Sequence, residues 1–247
     1  MKREYFAAII ILILLILSYL VLLIESPETA LRLSTEDSLI EYLSFIFFFL
    51  ASVILFYLFV ITKSEAKDFF LKSRRNYFIL LLGLFFFCCA GEEISWGQRI
   101  IGIGTTEYMK ENNAQKEINI HNLFVFQATD RNNNIKSGLD MLITSQKIFA
   151  YIWIIYCLMI PAIYRFSARS KKFLNRISFP VIPLWLGILF PINHLLSKIF
   201  ESMHLFPQLT PITETKETDF ALLFLIASII LYIQSKNNNS LSVINIT

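Results

Sequence analysis

Glycine and proline are scarce in this 247-residue chain, seven of each, and three cysteines are its whole thiol complement. So little glycine and proline excludes a collagen-like or low-complexity disordered chain. Charge is thin as well. Asp, Glu, Lys and Arg make up 17% of the residues, and a net charge of +3 is too small for a nucleic-acid-binding surface. Cys88, Cys89 and Cys157 lie in apolar runs without the spacing of a redox pair or a zinc knuckle, which argues against a disulfide framework. A glycine-rich phosphate loop, a GxSxG elbow and an HExxH helix are also missing, so ATP-driven and ordinary serine-hydrolase chemistry are disfavoured.

What the chain has is apolar length. Hydrophobic residues reach 55%, Phe alone counts 24, and the mean hydropathy is +0.59. On a water-exposed surface such a composition would aggregate. A spanning helix needs about 20 apolar residues, and six runs qualify or come close: Tyr5 to Ile24, Leu39 to Thr62, Tyr77 to Trp96, Ile148 to Phe166, Val181 to Ile199 and Phe220 to Ile233. The first outruns the apolar core of a signal peptide and lacks a cleavage site, so it reads as an uncleaved anchor. The fifth is interrupted by Pro191 and the sixth is short. The expectation is one all-α integral membrane domain over residues 1–247, a polytopic bundle of about six spans.

Orientation follows from the loops. The N-terminus, Lys63 to Asn76, Arg165 to Arg176 and the C-terminal tail hold thirteen of the 22 basic residues, against only Glu4, Glu65 and Asp68. By the positive-inside rule both termini are cytoplasmic, which agrees with an even number of spans. One outer loop, 97–146, is long, and long loops tend to be functional. Within it Thr106 is placed to cap a short helix, and Leu139 to Thr144 is apolar enough to lie on the membrane surface.

Ionisable side chains in a span cost about 2.5 to 3.5 kcal/mol each near the bilayer centre, so their presence asks for a function. The third span ends Gly91-Glu92-Glu93-Ile94-Ser95-Trp96-Gly97-Gln98-Arg99. Continued as a helix, it puts Glu92, Trp96 and Arg99 on one stripe and turns Glu93 elsewhere. The plain structural alternative is a Glu92 to Arg99 ion pair with Trp96 as a belt aromatic. All three histidines fall on the outer side, His121 in the long loop and His194 and His204 toward the outer end of the fifth span, where Lys198 and Glu201 continue the stripe of His194. Glu41 opens the second span, and Glu214, Glu217 and Asp219 precede the sixth, the last two read as solvated charges at the span boundary. In the loop, polar residues recur at 113, 115, 117, 119 and 121. A period of two places them on one side of an extended segment, a lid that would bring His121 over Glu92 and Glu93.

Gly91-Glu-Glu-Ile-Ser-Trp-Gly-Gln-Arg99 followed by Asn113-x-Gln-x-Glu-x-Asn-x-His-Asn122 resembles a family of multi-pass bacterial membrane proteins carrying GEExSWGQR and NxQxExNxHN motifs. The resemblance covers roughly residues 85 to 125. It implies a bacterial envelope location and a shared site, and no particular reaction. Glu92-Glu93 with Phe190-x-x-x-His194 also resembles, in part, the EExxxR and FxxxH motifs of CAAX-type intramembrane proteases. There the arginine position is Gly97, His204 is followed by Gln208 where an Asn or Asp belongs, and the motifs stand far apart.

Carboxylates and imidazoles at a membrane edge suit a divalent metal, zinc for nitrogen ligands and manganese or magnesium for oxygen. The expected ligands are Glu92, Glu93, His121 and His194, the expected catalytic set adds Arg99, and Trp96, Gln98, Asn119, Asn122, Lys198, Glu201 and His204 are placed to hold substrate. Without a metal, a Glu and a His form a general acid and base pair. Either version acts at headgroup height on the outer face of a bacterial inner membrane, on a lipid, a lipoprotein or a lipid-linked molecule. The competing classes are a binding or assembly subunit of an envelope complex and an ion or proton pathway; the pathway needs polar groups at every depth, and those found gather at the outer end.

Overall fold

The computed structural model describes residues 2–34, 38–62 and 75–237. Most of the basic loop Lys63 to Asn76 and the tail from 238 onward lie outside the described residues. The chain forms α1 (Lys2–Ile24), α2 (Pro27–Ser34), α3 (Leu39–Ile61), α4 (Tyr77–Glu93), α5 (Gln98–Ile101), α6 (Glu107–Asn112), α7 (Ser145–Trp153), α8 (Ile160–Phe166), α9 (Ala168–Arg176), α10 (Leu184–Ser202) and α11 (Thr210–Asn237). Among the described residues there is no β-strand. Helices α1, α11, the α7 to α8 rod and the stretch containing α3 are long and apolar enough to cross a membrane, and α4 makes a fifth if it is counted with the segment bent 70° away from it. This is the build of an integral membrane protein. Helix α10 falls outside that set, consistent with Pro191, Asn193, His194, Lys198 and Glu201 along its length.

Local signals set the boundaries. Asn76 caps α4 by accepting from the amides of Phe78 (3.0 Å) and Ile79 (3.4 Å), while its own amide donates to the Ser178 carbonyl at 2.7 Å and ties the start of α4 to the approach to α10. Thr106 caps α6 as its position predicts, accepting from Met109 N at 3.4 Å. Helix α11 begins about ten residues earlier than the apolar run, at Thr210, so Glu214, Glu217 and Asp219 are helical rather than boundary-loop residues.

Lipid is as apolar as a leucine side chain, so spans associate by close packing and by hydrogen bonds across helices. Both are present. Trp153, Phe190 and Phe220 stack at the centre, with centroids 5.5 Å apart for Trp153–Phe220, while Phe224 meets Phe190 edge to face at 4.9 Å and Phe86 at 4.8 Å. Such ring pairs add about 0.5–1.5 kcal/mol each beyond contact area. Toward the start of α11, Ser18 donates to Asp219 at 2.7 Å, Tyr19 to Asn193 Oδ1 at 2.9 Å, and Asn193 Nδ2 to the Lys216 carbonyl at 3.0 Å. The hydroxyls of Ser44 and Thr218 pair at 2.6 Å. These bonds clamp α1, α3, α10 and α11 together, and Asp219 is buried among them instead of standing in solvent.

Between α7 and α8 the rod widens into a π-helical segment, Ile154–Met159. Gly187 of α10 presses against it so closely that a Cβ would coincide with the Cys157 carbonyl. Gly187 is also four residues before Pro191, whose missing N–H leaves the Gly187 carbonyl without its helical donor. Helix α10 runs on through that proline without a break. The cysteines are free thiols, Cys88 exposed, Cys89 half-buried and Cys157 buried.

Candidate functional site

Helix α4 does not continue into the motif that follows it. It stops at Glu93, and Ser95, Trp96 and Gly97 take left-handed backbone angles with φ of 46°, 56° and 74°. Such angles are costly for Ser and Trp, and consecutive ones persist only where the surroundings hold them. The expected stripe of Glu92, Trp96 and Arg99 is therefore broken. Trp96 still reaches Glu92, donating from Nε1 to Oε1 at 2.8 Å, because the turn folds the indole back over α4. Its ring lies where a side chain on Gly91 would be, 2.8 Å from a built Cβ, so only glycine fits there.

The second motif closes over this turn. Residues 113–122 form a compact loop rather than an extended strand. Ala114 N donates to the Asn122 carbonyl at 2.8 Å, and Lys116 turns the chain with φ 59°. The alternation still holds in part, since Asn113, Glu117 and Asn119 are all buried facing the motif turn. Glu117 accepts from Ser95 Oγ and from the Arg99 guanidinium. Asn119 Nδ2 donates to Ser95 Oγ at 2.9 Å, and Asn113 Nδ2 to Asn119 Oδ1 at 2.8 Å. Gln98 bridges both halves, donating to Thr105 Oγ1 at 2.6 Å and accepting from Ile118 N at 2.7 Å. Asn122 donates to Gln115 and accepts from Gln127 Nε2 at 3.1 Å. In place of the alternative Glu92 to Arg99 ion pair, Arg99 pairs with Glu117. Serine at 95 and glutamate at 117 do more here than the sequence reading assigned them.

At the rim of this network sits Glu92. Its Oε2 accepts from Ile120 N at 2.6 Å and His121 N at 2.8 Å, and lies 3.1 Å from His121 Nδ1. A carboxylate is an acceptor, so Nδ1 is the donating nitrogen, and in the neutral ring that tautomer leaves the lone pair on Nε2. The imidazole is 43% exposed while the Glu92 side chain is 17% exposed, so the ring is partly open and its orienting carboxylate is sheltered. This arrangement can take up or deliver a proton at Nε2.

The other expected members do not join this pair. Glu93 turns to the opposite side of α4, where the charges acting on it are Glu217, Glu214 and Glu41 ahead of Glu92. His194 stands on α10 among Lys216, Lys198 and Glu201, with its ring 6.2 Å from that of Trp153. Lys198 and Glu201 pair with each other at 2.5 Å, and His204 lies past the end of α10 with φ 50°. Among the described residues no three His, Cys, Asp or Glu side chains gather as a metal would require. Glu92 and His121 offer two donors, whereas a catalytic zinc takes three protein ligands, so the pair by itself does not make a zinc site. Farther along the loop, Asp130 accepts from Asn132 N (2.8 Å), Asn134 N (2.9 Å) and Asn134 Nδ2 (3.0 Å). The bonds from Asn134 hold its carboxyl below the usual carboxylate range. Comparison with protein families, with curated proteins and with solved structures gives no match.

Proposed function

We propose that this chain is a six-span protein of a bacterial inner membrane, with both termini in the cytoplasm, whose outer face carries a His121 general base oriented by Glu92. Its reaction class is hydrolysis or group transfer on a lipid, a lipoprotein or a lipid-linked molecule. The observation that carries this reading is the 3.1 Å contact between Glu92 Oε2 and His121 Nδ1, on an imidazole that is itself partly exposed. His121 takes a proton from water or a substrate hydroxyl at Nε2 and returns it to the leaving group, while Glu92 holds the ring and balances the imidazolium. Ser95, Glu117, Asn119 and Arg99 hold the loop that delivers His121. Six spans with both ends inside follow from the apolar runs and the loop charges, and the motif resemblance supports the bacterial envelope.

A second reading has its own support. Ser95, Gln98, Arg99, Asn113, Gln115, Glu117, Asn119 and Asn122 largely satisfy one another, as they would in a rigid platform that presents a binding face in an envelope complex. Reconstituted protein incubated with lipids, a lipoprotein and a polyprenyl-linked sugar, with products read by mass spectrometry, separates the two. Product formed by the native protein and reduced about a hundredfold or more by His121→Ala supports the general base. No product from any substrate class moves the assignment to the binding platform.

A further inference from the structure

We infer that residues 96–103 form an apolar lip seated in the outer leaflet of the bilayer, so that the chain enters lipid beside His121 with a segment that does not span it. The lip begins where α4 ends, at the 70° bend. Left-handed glycines bound its single helical turn, Gly97 with φ 74° and Gly102 with φ 72°. Its polar side chains turn inward: Gln98 is held by Thr105 and Ile118, and Arg99 by Glu117. Its apolar side chains turn the other way, with Ile100 71%, Ile101 68% and Ile103 51% exposed. Three adjacent isoleucines standing clear of the protein, backed by fully engaged polar groups, match a segment lying in the interface plane.

Continuity with the lipid-facing wall of α4 identifies what covers this face. Phe87 and Leu84 on α4 are exposed, as lipid-facing side chains of a span are, and Phe87 meets Trp96 edge to face at 6.2 Å. The apolar strip thus runs from Leu84 and Phe87 across Trp96 to the lip isoleucines, with the part-exposed Arg99 side chain beside it. Trp96 is the residue type that settles at headgroup depth. Trp96 and His121 share one carboxylate, Glu92, and Ile120 beside His121 is exposed too. A seated lip therefore sets the imidazole at the height of the glycerol and headgroup bonds of outer-leaflet lipid. The seating itself does not depend on His121 being a base; the choice of leaflet and this last consequence rest on the proposed orientation and function.

Depth-dependent quenching of Trp96 tests the seating. Replacing Trp153 and Trp185 by Phe leaves Trp96 as the sole tryptophan in the full chain. The variant is reconstituted in phosphatidylcholine vesicles brominated either near the ester end or near the methyl end of the acyl chains. Seating predicts roughly twofold quenching by ester-end bromines, less by methyl-end bromines, and little by aqueous iodide. Quenching by iodide with none by bromine overturns it, as does quenching by neither, which would mean protein cover. If the double replacement does not fold, the difference between native protein and Trp96→Phe in the same vesicles gives the same reading. Because this readout is fluorescence, it stands or falls apart from any product assay: a seated lip with no product would retire only the catalytic reading.

Discussion

Glu92 and His121 stand 29 residues apart in sequence and meet at 3.1 Å, the carboxylate at the end of a helix and the imidazole on the loop folded over it. The same carboxylate also takes the Trp96 indole and two loop amides, so it anchors the loop as well as the ring. Its two roles respond differently to substitution. Glu92→Gln keeps the packing and one acceptor oxygen but removes the charge that balances an imidazolium. It should lower turnover of whichever lipid substrate is found by about ten- to a hundredfold with little change in melting temperature. Glu92→Ala should cost about 1–3 kcal/mol as well, because the Trp96 indole and the loop donors lose a charged acceptor. Equal loss of stability in both variants would show that Glu92 only holds the loop.

The Arg99–Glu117 pair closes the network from the other side. Glu117 is buried, and Ser95 and Arg99 both donate to it. Glu117→Ala should destabilise the protein by about 1–3 kcal/mol and open the loop to protease between Asn113 and Gln127. Arg99→Met alone should show a smaller effect, and the double variant less than the sum, since the two share one interaction. Additive losses in thermal unfolding would mean the pair does not couple.

The spanning rods were legible because a run of uncharged apolar residues can satisfy its backbone in lipid only as a helix. Residues outside that rule were harder to read. Asp219 and Glu217 looked like boundary charges, yet α11 begins at Thr210 because Asn193 and Ser18, distant in sequence, receive its polar first turns. The stripe through Glu92, Trp96 and Arg99 assumed that α4 continues, and the left-handed run at Ser95–Gly97 shows no signature in local propensity beyond one glycine. Alternation at 113–121 did find the buried face of the loop. It could not show that Lys116 turns the chain, or that Glu117 would answer Ser95 and Arg99.

Gly187 tests the packing of the π-helical segment. A methyl group there meets the Cys157 backbone carbonyl, which no rotamer change can relieve. Gly187→Ala should force α10 away from the α7 to α8 rod and cost about 1–3 kcal/mol or more, read as a lower melting temperature in detergent. Gly102→Ala, whose Cβ would meet nothing within 4 Å, is the control that bears only the strain of its left-handed backbone. Equal effects from the two substitutions would mean that the close approach of α10 is not important to stability.

Acid should loosen the loop at Asp130 later than an ordinary carboxylate would. Its carboxyl is held below the usual range by the Asn134 side chain and then by the loop amides. A depressed folded value contributes stability above the unfolded value of about 4, and that contribution is lost as pH falls through the folded value. Amide exchange at Asn132 and Asn134 should therefore stay slow down to the ordinary carboxylate range and quicken only below it. Asp130→Ala should exchange quickly at every pH. Loss of protection already above the ordinary range would contradict these bonds.

Elemental mass spectrometry of purified protein, beside Glu93→Gln and His121→Ala, weighs the metal-dependent version of the chemistry. Glu92 and His121 supply two donors, and Glu93 faces other carboxylates across α3 and α11. On that geometry the native protein should hold well below one equivalent of zinc, because a catalytic zinc takes three protein ligands. Glu93→Gln should leave stability about unchanged, since the amide fills the same space and adds no charge beside the other carboxylates. Near-stoichiometric metal lost in both variants would overturn the two-donor reading, for then Glu93 and His121 must turn to a common ion, and the loop must move to bring them there.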